Sequence, residues 1–108
     1  MIYTVQEIQS RVMPVAQKYG IKAVFLFGSY AKGTATEDSD IDLLIDTSGT
    51  ALRSLLSLGA LYNDLEAVLE KKIDLITIRS LEQRTQMPSE AAFREAVMKE
   101  RVRLYDVA

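Results

Sequence analysis

Three short apolar runs constrain this chain more than anything else in it: AVFLF at residues 23–27, IDLLID at 41–46 and IDLITI at 73–78. Each is the length of a strand, rich in β-formers and nearly continuous in its apolar residues, as expected of strands buried on both faces. Around them the period changes. Thr4 followed by Glu7 forms a capping-box pattern, and Val5, Ile8, Val12, Val15 and Tyr19 then recur at near-helical spacing until Gly20. Pro14 lies inside that helix and is expected to remove one hydrogen bond and kink its last turn. A long second helix is predicted between the second and third strands. Leu52, Leu55, Leu56, Leu61, Leu65 and Leu69 mark its apolar face, Thr50 is its N-cap, and Gly59 weakens its middle. After Pro88, Ser89 is expected to cap a last helix in which Phe93, Val97 and Leu104 face inward.

This order of elements predicts an α/β (α+β) fold, a small mixed β-sheet covered by helices. With 108 residues and no Gly/Ser-rich linker, the chain is expected to form a single domain, residues 1–108. A hydrophobic share of 48% beside 26% charged residues is that of an ordinary globular protein. The formal net charge of -2 and the scattered basic residues leave no field for a nucleic-acid backbone, so no direct nucleic-acid partner is expected. The N-terminus lacks a leader pattern and no apolar run approaches the ~20 residues that cross a bilayer, which predicts a cytoplasmic protein with no membrane partner. Cysteine and histidine are both absent. That removes thiolate metal sites, disulfides, Cys nucleophiles and the commonest general base, leaving carboxylates, hydroxyls and cations to carry any chemistry.

The stretch GSYAKGTATEDSDIDLLID, residues 28–46, holds the candidates. Gly28 ends the first strand and lets the backbone turn. Ser29 then falls where a helical turn begins, so N–H groups and a hydroxyl can hold a phosphate there. Gly28 to Gly33 is not a Walker loop, because Thr34 stands where that loop needs lysine. Asp40 and Asp42 are two apart on a predicted strand, so both leave one face while Ile41 and Leu43 point into the core. Two carboxylates that close repel unless they share protons or cations, and hard oxygen ligands suit magnesium. Asp74 opens the third run in the same way, and a neighbouring strand would bring it beside the first two. Three carboxylates can hold two metal ions about 3.5–4 Å apart, the arrangement that clamps the attacking and leaving oxygens of phosphoryl transfer. Plainer roles exist for each group: turn residues for Gly28 and Gly33, a helix cap for Ser29, a solvated strand end for Asp40 and Asp42, and an ion pair with Lys71 or Lys72 for Asp74. A calcium loop starting at Asp38 fails on spacing, since Leu43 and Gly49 occupy its glycine and glutamate positions.

Gly28-Ser29, ten intervening residues, then Asp40-x-Asp42 with Ser39 before the first aspartate resembles the signature of the nucleotidyltransferase superfamily related to DNA polymerase β. Gly28, Ser29, Ala31 and Gly33 also match that family's Gly-Ser-x-Ala-x-Gly run. In size and element order the chain resembles the minimal nucleotidyltransferases, the MNT-domain antitoxin partners of HEPN-family ribonuclease toxins. The resemblance implies that Gly28, Ser29 and Ser39 bind the nucleotide, and that Asp40, Asp42 and Asp74 form the catalytic set and hold two Mg2+ ions. Asp74 would also help deprotonate the acceptor. It implies transfer of AMP from ATP to a hydroxyl of a HEPN toxin, a tyrosine in the family's manner, in a type VII toxin-antitoxin system. Two other functions fit the same residues: a non-catalytic module that masks the toxin, and a small-molecule nucleotidyltransferase of the aminoglycoside-modifying kind.

Overall fold

The computed structural model describes residues 2–52, 54–83 and 87–107. Thr4 opens the first helix, α1 (Val5–Tyr19), through the predicted capping box: its hydroxyl accepts from Glu7 N–H, and the Glu7 carboxylate accepts from Thr4 N–H at 2.9 Å. The helix runs through Pro14 without a break and stops at Gly20 in the left-handed conformation. There follow β1 (Ala23–Phe27), a five-residue helix α2 (Gly28–Lys32), β2 (Ile41–Asp46), α3 (Leu55–Leu69), β3 (Ile73–Thr77), a second five-residue helix α4 (Ile78–Glu82), α5 (Pro88–Glu100) and β4 (Val102–Asp106). The strands form one sheet in the order β3-β2-β1-β4, with β2 and β3 parallel and the other pairs antiparallel. This is the mixed sheet covered by helices that the sequence predicts.

All five residues of β1 are buried, and β2 buries Ile41, Leu43, Leu44 and Ile45. Alternation divides them between two cores. Val24, Leu26, Ile41, Leu43 and Ile45 pack with Ile8 and Val12 of α1 and with Leu61, Leu65 and Leu69 of α3. Phe25, Phe27, Leu44 and Ile76 pack on the other face with Leu81 and Val97. Asp42 and Asp74 share this second face. Side chains from the N-terminal segment hold the end of α3: Tyr3 Oη donates to the Leu69 carbonyl at 2.7 Å and Arg11 Nη1 to that of Val68 at 2.8 Å. Glu70 then turns the chain through φ 52° into β3.

Five expectations need correction. The N-cap of α3 is Ser54, whose hydroxyl accepts from Ser57 N–H, while Thr50 donates to the Thr47 carbonyl in the preceding turn. With the helix starting at Leu55, that residue and Leu56 stand in its first turn and point outward, 89% and 87% exposed, so the buried stripe is Leu61, Leu65 and Leu69. In α5, Pro88 takes the first position after Met87, and Ser89 is not the cap. Leu104 is buried in a fourth strand and not in that helix. Arg101 turns extended after Glu100, and VRLYD continues with the alternation of a strand against β1. Of the other residues assigned to that helix core, Val97 is buried and Phe93 remains 38% exposed, its ring edge against Phe27.

Candidate active site

The site is built on one row across the sheet. Phe27 at the end of β1, Asp42 on β2 and Asp74 on β3 are partners in register, so their side chains leave the same face side by side. Asp40 immediately precedes β2, outside the strand on which it was expected, and is exposed. Asp42 is the group under strain: partial burial first, then the negative charge of Asp74, then that of Asp40, push its carboxyl up to about 6.

Gly28 follows Phe27 with φ 73°. A β-carbon there would be driven into Asp42 Oδ2, so the turn between strand and helix closes directly against the carboxylate and only glycine fits. α2 begins at Gly28, and Phe27 supplies no side-chain cap. The first N–H groups of that turn and the half-buried Ser29 therefore open beside Asp42. Ser29 also anchors the following turn, its carbonyl accepting from Thr34 N–H at 2.9 Å.

Ser39 occupies the loop that leads to Asp40. Its hydroxyl accepts from Thr36 N–H at 2.8 Å and its own N–H donates to the Thr36 carbonyl, so it shapes the loop that carries Asp40. Lys71 contributes from the other side, donating to the Glu37 carbonyl at 2.8 Å and lying over the Tyr30 ring. Spacing gave no sign of this tie, because its partners are 34 residues apart. Lys32, on α2, pairs with Glu100 at 3.2 Å. A depression of about 340 Å³ borders Asp40, lined by Glu37 to Asp40 and Glu70 to Lys72. The larger one, about 760 Å³, lies between the Asp46–Gly49 segment and α4, at the opposite end of β2 from Asp42.

Among the described residues, no three acidic or other ligating side chains are gathered into a ready-made metal cage. The donor set nevertheless suits a hard cation. Asp42 is flanked by two further carboxylates and is hard to ionise in their field, and a divalent ion would relieve that repulsion.

Residues 14–104 match the model of the nucleotidyltransferase domain family. The chain belongs to the nucleotidyltransferase family. It falls in the minimal branch. A candidate protein adenylyltransferase of Methanocaldococcus jannaschii is 39% identical over 77 residues, covering 71% of this chain and 81% of the relative. The protein adenylyltransferase MntA of Thermococcus cleftensis is 37% identical over 82 residues, covering 72% and 81%. Among solved structures, a toxin-antitoxin crystallised with AMP-PNP superposes with a TM-score of 0.69 at 20% identity, over 92% of this chain and 73% of the other. The Shewanella oneidensis MNT antitoxin, in complex with its tri-AMPylated HEPN toxin, superposes with a TM-score of 0.64 at 17% identity, over 96% and 74%. At those identities the superpositions establish the shared fold.

Proposed function

We propose that this nucleotidyltransferase transfers AMP from ATP to a hydroxyl of a partner protein, a tyrosine of a HEPN-family toxin, and thereby acts as its antitoxin. The observation that carries the reading is the closure of Gly28 against Asp42 in the row Phe27–Asp42–Asp74, which sets an open phosphate-binding turn directly beside paired carboxylates. The choice of AMP and of a protein acceptor is supported by the adenylyltransferase relatives, and that of a HEPN toxin by the complex containing an AMPylated one.

In this reading the N–H groups at Gly28 and Ser29 orient the triphosphate. Asp40, Asp42 and Asp74 hold the Mg2+ ions, which when bound supply the positive charge that phosphoryl transfer needs. The acceptor oxygen bonds to the α-phosphorus, the bond from that phosphorus to the bridging oxygen breaks, and pyrophosphate leaves. The Asp74 carboxylate, exposed at the end of the row, takes the acceptor's proton. Ser39 and Lys71 set the loop that presents Asp40. No described helix is long and apolar enough to cross a membrane, and a cytoplasmic reaction is part of the proposal.

Among the described residues the carboxylates close no three-ligand cage, which leaves one second reading, a module that masks the toxin without modifying it. Incubation with magnesium, α-labelled ATP and a HEPN-family toxin that binds this protein separates the two. Label on the partner, lost with Asp40→Ala/Asp42→Ala, is the expected result. A stable complex that is never labelled by any triphosphate would establish masking instead.

A further inference from the structure

Beside the carboxylates, the outer edge of β3 turns backbone donors and acceptors away from the sheet, and we propose that it docks the acceptor as an added β-strand. This inference rests on the reading that the acceptor is a protein. Ile41 N–H donates to the Lys72 carbonyl at 3.1 Å, and the parallel register then runs from Ile41↔Ile73 to Ile45↔Thr77. In such a ladder alternate residues of a strand face its neighbour, so Lys72, Asp74 and Ile76 turn their backbone groups to β2 while Ile73 and Leu75 turn theirs outward. β3 ends the sheet, and among the described residues no hydrogen bond reaches those outward groups; Leu75 is half-buried and Ile73 is 3% exposed, so an added strand meets the edge first at Leu75.

The opposite edge is treated differently. β4 is bulged where it passes Val24 and Phe25, and Gln9 Nε2 donates to the Leu104 carbonyl at 2.8 Å. Bulging and capping of this kind blunt an edge against strand addition, and β3 carries neither.

What would be added follows from the register. A residue paired with Asp74 on a further strand projects from the same face as Phe27, Asp42 and Asp74, one strand spacing of roughly 4.8 Å beyond the carboxylate. An extended segment thus delivers its side-chain hydroxyl to the end of the reactive row, its main chain supplying affinity and its alternate side chains selectivity. Lys72 and Arg79 flank the strand, both exposed and without an ion pair among the described residues, which suits acidic residues on either side of the hydroxyl. A second copy of this chain, pairing β3 with β3, is the competing occupant.

The test uses two synthetic peptides with one tyrosine between β-branched residues and flanking aspartates. One has an ordinary backbone, and the other is N-methylated at consecutive residues so that neither edge can donate a full set of hydrogen bonds. With magnesium and α-labelled ATP, the ordinary peptide should be labelled at least tenfold faster. Leu75→Pro, which removes an outward N–H and some packing on the core, should raise the KM for that peptide at least tenfold with ATP affinity unchanged in protein that remains folded. Equal labelling of the two peptides, or no labelling by a protein that binds ATP, overturns strand docking and leaves the transferase reading intact. Absence of ATP binding in the parent protein overturns both. A concentration-dependent dimer abolished by Leu75→Pro assigns the edge to a second copy and also overturns the proposal.

Discussion

Gly28 and Asp42 depend on each other through one contact. Alanine at 28 would be strained by the positive φ and its methyl would press on the carboxylate. Gly28→Ala should therefore cost about 1–3 kcal/mol of stability and weaken ATP binding, read by chemical denaturation and calorimetry. Asp42 makes a pH prediction. Its carboxyl titrates at about 6 in the folded chain against an ordinary 3.8, so the folded state holds the extra proton between those values. Stability from this group is present at low pH and is lost as pH rises through about 6. In a chelating buffer near neutral pH, Asp42→Asn should stabilise the protein by on the order of 1–2 kcal/mol. Below about pH 3 the two proteins should melt together, because both folded and unfolded carboxyls are then protonated.

At the scale of elements, α3 separates leucines that look alike in sequence. Leu55→Glu and Leu56→Glu lie in the exposed first turn and should each change stability by less than about 0.5 kcal/mol. Leu61→Ala, in the fully buried stripe, should cost about 2–5 kcal/mol. A large loss from Leu55→Glu in the isolated chain would show that the helix packs otherwise. Three of the four strands were legible from their apolar runs, and α1 from its cap and stop, because those signals are local. β4 was not, since Phe93, Val97 and Leu104 are spaced as a helix would space them until the extended backbone at Arg101 breaks the period. The start of α3 was missed because Thr50 and Ser54 are both competent caps, and burial of Leu61, Leu65 and Leu69 decides between them.

The molecule as a whole should respond to ligand through the carboxylate row. MgATP at one hundred times its dissociation constant should stabilise the protein by about 2.7 kcal/mol and so raise the melting temperature, and the rise should vanish in Asp40→Ala/Asp42→Ala. Thermal unfolding with and without MgATP checks both. Composition, the two Ile-Asp strand openings and the spacing from Gly28-Ser29 to Asp40 and Asp42 were enough to establish the fold class and to nominate the site, because they depend on neighbours along the chain. Sequence could not bring Asp74 into register with Asp42, turn Ser39 and Lys71 to shaping the Asp40 loop, or leave β3 as the open edge. Those depend on which strands pair and in which direction, and that is decided when the two cores close on opposite faces of the sheet and bury residues far apart in sequence.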